Sequence, residues 1–315
     1  MPEPITRQGA PVTTADLAPQ RTRWRALAII QALRPHQWVK NLLVFVPVVL
    51  DHKLFNAAVM TKAAMAFVAF CCAASSAYIL NDLLDLEADR RHPRKRLRPF
   101  ASGAVSPAIG LALVPALLGI AGALSWSSLP VRFLELLTLY VVLTTAYSLY
   151  LKRVAVVDVL LLAGLYTLRV LAGVSAAHVR FSTWLLAFSM FLFLSLAFLK
   201  RYTEVSTMDG DPGEQVRRRG YLRGDREWLG SMGGASGYLS VLVFALYISS
   251  EQVVALYGRP LILWLACPLL LYWIGRMWLL AHRGRIHDDP IVATVRDPMS
   301  YVAGALLALV LYMAL

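Results

Sequence analysis

Apolar runs of near 20 residues recur along the chain, separated by short polar or charged breaks, and they predict membrane-crossing helices. Spanning about 30 Å of hydrocarbon as α-helix takes roughly 20 residues. The pattern marks 36–52, 62–81, 107–126, 132–150, 155–176, 182–201, 232–250, 260–281 and 297–315, with Lys40 and Asn41 interrupting the first of these early. The expected fold class is all-α, a polytopic membrane helical bundle of about nine transmembrane helices, since helices satisfy their own backbone groups in lipid. Ahead of it, residues 21–38 mix arginines with Trp24 and Trp38 and read as an interfacial helix that Pro35 redirects. Residues 1–20 are polar, lack the apolar stretch of a cleavable signal, and are expected to form a disordered cytoplasmic tail. The remainder, 21–315, is expected to be one transmembrane domain.

Composition agrees with that pattern. The chain is 58% hydrophobic and 16% charged, against about 45–50% and 25% in soluble domains. Charge adds an orientation. If the N-terminus is inside, the outer segments hold only Lys53, Lys62, Arg132, Arg180 and Arg259, and nearly every other Lys and Arg lies on an inner segment. That asymmetry places residues 81–99 on the cytoplasmic side, and a bacterial inner membrane is the expected location. The net charge of +12 is then an inside-facing rim toward anionic headgroups, and it requires no nucleic acid. Cys71, Cys72 and Cys267 lie in apolar runs without metal-ligand spacing and read as small buried hydrophobes.

The chemistry concentrates in NDLLDLEADRRHPRKRLRP, residues 81–99. Asp82, Asp85 and Asp89 are spaced i, i+3, i+7 and share one helix face. Arg90, Arg91, Arg94, Lys95, Arg96 and Arg98 follow at once. Carboxylates that hold Mg²⁺ through oxygen, beside cations that take the remaining negative charge, suit a metal-bridged polyphosphate. A solvated interhelical loop is the plainer alternative, but three carboxylates at a membrane boundary are costly unless something binds them.

A second informative stretch, 147–173, holds Tyr147, Lys152, Asp158 and Arg169. An arginine this deep must face protein, water or an anion; a tie to a neighbouring helix and a contact to a ligand are equally open. The helix over 182–201 ends in Lys200 and Arg201, and the glycine-rich loop after Glu204 reads as flexible. His287, Asp288 and Asp289 before Pro290 read as a capping turn, and the small-residue run 230–237 suits close helix packing.

The 81–99 stretch resembles the first aspartate motif, NDxxDxxxD, of the UbiA-type intramembrane prenyltransferase superfamily. Within it, the opening RPxxWxKN (34–41), HPxKxxRP (92–99) and YSxxLK (147–152) resemble the decaprenyl-phosphate phosphoribosyltransferase branch. The resemblance covers nearly the whole chain after about residue 30 and implies a UbiA-like bundle with a cytoplasmic-side active site. The chain departs from the prenyltransferases in one place. Where those enzymes carry a second acidic motif after the sixth helix, this chain reads KRYTEV, with Glu204 as the sole carboxylate of that segment. Charge favours the same branch, because phosphoribosyl pyrophosphate carries about −5 and a lipid monophosphate about −1.5 to −2. Cations can cover what Mg²⁺ leaves.

The resemblance therefore implies phosphoribosyl transfer from 5-phosphoribosyl-1-pyrophosphate to a polyprenyl phosphate. Asn81, Asp82, Asp85 and Asp89 would hold Mg²⁺. Lys40 with Asn41, Lys95, Arg98 and Lys152 would grip the donor. Tyr147, Asp158 and Glu204 would meet the ribose, and Arg169, Lys200 and Arg201 the lipid phosphate. A homo-oligomer is compatible with this reading. Two rivals stand beside it: a prenyltransferase acting on an aromatic acceptor, and a transporter. The transporter is disfavoured because only Arg169 lies deep in a span.

Overall fold

The computed structural model describes residues 26–93, 95–179, 182–207, 220–286 and 289–315, with the side chain of Gln252 excepted. The predicted tail 1–20, the start of the interfacial helix and most of the glycine-rich loop lie outside the described residues. So do Arg94, Arg180, His287 and Asp288. Helix α1 covers 26–33 and a 3-10 helix covers Pro35–Phe45. Then come α2 (Val46–Leu50), α3 (Ala57–Leu84), α4 (Leu86–Arg91), α5 (Pro107–Ser128), α6 (Val131–Leu149) and α7 (Val157–Ala177). The chain continues through α8 (Thr183–Ser206), α9 (Arg226–Ile248), α10 (Glu251–Val254), α11 (Ala266–His282), α12 (Pro290–Arg296) and α13 (Pro298–Ala314).

Among the described residues, 7 helices are long and apolar enough to cross a membrane, and α12 with α13, bent by 85°, adds an eighth if taken as one span. The segment 36–52, predicted as a span, takes another form. Pro47 opens the five-residue α2, and the 3-10 helix before it turns Lys40 and Asn41 into buried positions. Two buried polar side chains commit this stretch to protein neighbours rather than to lipid. Some hydroxyls within the spans return to their own helix, as Ser125 Oγ does to Ala121 O (2.6 Å) and Thr138 Oγ1 to Leu134 O (2.8 Å).

The described residues group into two compact units, and the long helices α3 and α5 each contribute to both. Unit one comprises 26–35 and Ser75–Leu117. Its core gathers Ala28, Ala32, Ile79, Phe100 and Val105. Ser75 donates to Leu33 O (2.8 Å) and Ser76 to Val114 O (3.2 Å), tying α1 and α5 to the end of α3.

Unit two comprises His36–Ala74 and Leu118–Leu315. One apolar cluster joins α7, α8, α9 and α11 through Val159, Leu199, Leu229 and Met277. The small-residue run works as expected there: a Cβ on Gly233 would stand 2.8 Å from Phe198 Cβ and 2.2 Å from the Trp278 ring. Ser195 donates to Gly233 O at 2.7 Å across the same approach. Gly173 is tighter still, since a Cβ there would lie 2.1 Å from the Val44 carbonyl oxygen. Backbone cannot swing aside as a side chain can. Gly173→Ala is expected to destabilise the protein by about 1–3 kcal/mol or more, read as a lower unfolding temperature in detergent. An unchanged temperature would show that α7 and the 3-10 helix do not meet at this distance.

Candidate functional site

In unit one the acidic motif sits at the end of α3. The helix breaks at Asp85 (φ −95°, ψ 8°) and resumes as α4, yet Asp85 N–H still donates to Asn81 O (3.0 Å) and Asp89 N–H to Asp85 O (2.9 Å). The turn is continuous enough to keep the three aspartates in register. Asp82 and Asp89 are buried, at 2% and 3% exposure, while Asp85 and Asn81 are half-buried.

Buried carboxylates need partners, and arginines supply them. Arg98 Nη1 donates to Asp82 Oδ1 (3.1 Å) and to Asp89 Oδ2 (2.5 Å), and Arg34 Nη2 donates to Asp82 Oδ1 (2.7 Å). Arg34 also lies 5.4 Å above the Tyr78 ring. Asp82 Oδ2 is different: it is buried and has no hydrogen-bond partner. That orphaned anionic oxygen is the observation that fits a hard cation. Among the described residues no three acidic, His or Cys side chains form a ready-made metal group. Mg²⁺ suits that arrangement, because it is ordinarily held by one or two carboxylates, waters and substrate phosphates rather than by an all-protein cage. Lys95 stands exposed on the 3-10 turn Lys95–Leu97.

Unit two carries three linked polar clusters. In the first, Lys40 Nζ (2.7 Å) and Lys200 Nζ (2.9 Å) both donate to Asp289 Oδ2. The Tyr166 hydroxyl lies 3.4 Å from both oxygens of that carboxylate. Asp289 also caps α12 as its sequence predicted, accepting from Ile291 N–H at 3.2 Å. Burial alone would raise this carboxyl's pKa, but Lys200 and Lys40 more than reverse that and hold it well below the usual carboxylate range.

The second cluster is built on Arg201, which is fully buried. Its Nε donates to Asp158 Oδ2 (2.5 Å), its Nη2 to the Tyr147 hydroxyl (2.7 Å), and its Nη1 to Glu204. Tyr221 closes the network by donating to Asp158 Oδ1 (2.7 Å) while accepting from Val156 N–H (2.8 Å). Burial, followed by the bond to Asp158, pushes the Tyr221 phenol up. In the third cluster Arg169 donates to Asn41 Oδ1 (2.9 Å), Leu165 O (2.6 Å) and the Tyr140 hydroxyl (2.9 Å). The rings of Tyr140, Tyr166 and Phe70 surround its guanidinium at 4.6, 5.6 and 6.0 Å.

The sequence-selected residues thus fall into place in groups. Asp158, Tyr147, Arg201 and Glu204 share one network, Asn41 pairs with Arg169, and Lys40 meets Lys200. Lys152 is half-buried on the 3-10 turn Leu151–Arg153. Arg169 ties α7 to Asn41 and Tyr140, as one of the two readings left open for it expects. Sequence reasoning missed Arg34, Tyr166, Tyr221 and Asp289. Arg34 heads the RPxxWxKN motif and could have been chosen from it. Asp289 was read only as a cap.

Comparison with known proteins comes from three directions. The sequence profile of the UbiA prenyltransferase family matches residues 51–293. The uncharacterized protein y4nM of Sinorhizobium fredii is 39% identical over 91% of this chain, an alignment that spans 55% of y4nM. The nodulation protein NoeC of Azorhizobium caulinodans is 34% identical over 90% of this chain and 92% of its own. A decaprenyl-phosphate phosphoribosyltransferase of Mycolicibacterium smegmatis is 37% identical over 60% of each chain. In fold, the chain is similar to a UbiA homolog from Archaeoglobus fulgidus bound to GPP and Mg²⁺, with a TM-score of 0.69, 15% identity, and coverage of 91% of this chain and 99% of that one.

Proposed function

The chain belongs to the UbiA prenyltransferase family and is a multi-pass membrane protein, and from that premise we propose that it transfers a phosphoribosyl group from 5-phosphoribosyl-1-pyrophosphate to a polyprenyl phosphate. The products are polyprenylphosphoryl-5-phosphoribose and pyrophosphate. The catalytic side faces the cytoplasm of a bacterial inner membrane. The observation that carries this choice is the commitment of Glu204 to the buried Arg201. The segment in which prenyltransferases are expected to present a second metal-binding carboxylate set has its acid paired with a buried arginine and presents Lys200 beside it. Such a site suits a donor richer in phosphate. The relative from Mycolicibacterium smegmatis, named for this activity, supports the same reading.

Asp82 and Asp85, with Asn81 and Asp89, are the residues that would hold Mg²⁺; when bound, the metal supplies charge neutralisation that makes pyrophosphate a better leaving group. Lys40 and Lys200 take phosphate oxygens as ammonium donors. A lipid-phosphate oxygen forms the new bond to the anomeric carbon as the bond from that carbon to the pyrophosphate oxygen breaks. The nucleophile is already anionic near neutral pH, so no proton has to be removed from it. Asp158, Arg201, Tyr147 and Tyr221 hold one another and keep the end of α8 fixed beneath Lys200.

The test is a paired incubation of purified protein. With phosphoribosyl pyrophosphate and a polyprenyl phosphate, a phosphoribosyl lipid is expected. With a prenyl diphosphate and an aromatic acceptor, no product is expected. A prenylated ring, with no phosphoribosyl lipid at any donor concentration, would overturn the assignment in favour of the prenyltransferase reading.

A further inference from the structure

Two ammonium groups converge on one carboxylate oxygen in unit two, and the arrangement is unbalanced. Asp289 Oδ2 takes Lys40 at 2.7 Å and Lys200 at 2.9 Å. Among the described residues, its Oδ1 meets only the Ile291 N–H at 3.2 Å and the Tyr166 hydroxyl at 3.4 Å. The Lys40 and Asp289 side chains are each 7% exposed, while Lys200 is 27% exposed. Among the described residues, two lysines share one aspartate, so this cluster carries one more positive charge than negative in a largely enclosed place, and Arg169 stands behind the Tyr166 ring, 5.6 Å away. Uncompensated charge in such a place is costly. A carboxylate has two oxygens and one charge. A phosphate monoester has three free oxygens and about −1.5 to −2 charges, so it can give one oxygen to each lysine and one to Tyr166.

We infer that Lys40, Lys200 and Tyr166 form a binding site for a phosphate monoester, and that Asp289 is the internal anion which occupies this site until the ester displaces it. The inference rests on the reading of Lys40 and Lys200 as phosphate ligands, and it adds a competitor that neither the motifs nor the comparisons assign. Asp289 pairs with both lysines and keeps them aimed while the site is empty of substrate. Its displacement costs part of the binding energy, because apparent affinity falls with the fraction of molecules in which the site is open. The monoester has two sources, the lipid phosphate and the 5-phosphate of the ribosyl donor. The same chemistry serves either, and the test separates them.

The experiment measures binding to the full chain in detergent, by thermal protection, with farnesyl monophosphate and ribose 5-phosphate as probes. Asp289→Asn keeps a good capping side chain for α12 and removes the competing charge. It is expected to bind the recognised ester about tenfold more tightly than the wild type, the order expected for one charge-assisted contact. Lys200→Gln is expected to weaken the same ester by a similar factor. Whichever probe responds names the source. Asp289→Ser, which also retains a capping oxygen, stands in if the asparagine variant does not fold. If Asp289→Asn weakens the ester as Lys200→Gln does, Asp289 serves only to orient the lysines and the inference is wrong. Absence of protection by either probe in the wild type also overturns it. Failure of the proposed reaction is separate: tighter ester binding in Asp289→Asn would stand even if turnover used a prenyl diphosphate.

Discussion

Asp82→Asn is expected to lower turnover by a hundredfold or more while the protein remains folded. The two sides of this carboxylate do different things. Oδ1 accepts from Arg34 and Arg98, and Oδ2 is buried without a partner. The amide of asparagine can still accept from either arginine through its oxygen, so the local fold keeps a contact. It brings no negative charge to the orphaned position, where a divalent cation needs one. Losing roughly 3 kcal/mol of leaving-group stabilisation corresponds to about two orders of magnitude in rate. Unfolding temperature serves as the control for folding, and Mn²⁺ binding, followed by water proton relaxation, should weaken in parallel. Turnover that survives a chelator would remove the metal from the argument altogether.

The largest stability effect is expected elsewhere, at Arg201. Its guanidinium is inaccessible and spends its donors on Asp158, Glu204 and Tyr147. Arg201→Ala strands the Asp158 carboxylate, itself at 0% exposure, with Tyr221 as its remaining side-chain partner among the described residues. Breaking a buried pair by removing one member typically costs about 3–5 kcal/mol, chiefly because the other charge is left uncompensated. That origin makes a second observation available. Adding Asp158→Asn to Arg201→Ala should recover part of the loss, since the stranded charge is then gone. Denaturant unfolding in mixed micelles gives both numbers. An Arg201→Ala protein as stable as the wild type would mean that the network contributes nothing to the fold.

How much of this was legible beforehand follows from sequence separation. The aspartate register of 81–99 is local, and a helix enforces it, so Asp82 and Asp89 were readable together. The cation that binds both, Arg98, lies only 9 residues beyond Asp89. Glu204 and Arg201 are likewise neighbours on one helix turn. Lys40 and Asp289 are 249 residues apart, and Asp158 and Tyr221 are 63 apart. No periodicity couples such pairs, because tertiary packing joins the 3-10 helix to the cap of α12 and the segment before α9 to α7. The segment 36–52 failed for a related reason. Its apolar composition matched a lipid-facing helix, but the polar pair Lys40 and Asn41 is buried against protein. Mean hydropathy cannot tell a lipid neighbour from a helix neighbour.

Arg34 carries a consequence for anyone who sets out to make this protein sturdier. Its backbone is left-handed (φ 53°), a conformation uncomfortable for any residue with a Cβ and more so directly before proline. A selection for heat tolerance would reward glycine at this position, since glycine enters that region freely. Glycine would also delete the guanidinium that reaches Asp82. Backbone comfort and the aspartate's charge environment are therefore set against each other at a single codon. Libraries ranked on survival alone will drift toward well-folded proteins that have lost this contact, so position 34 should be held constant in them.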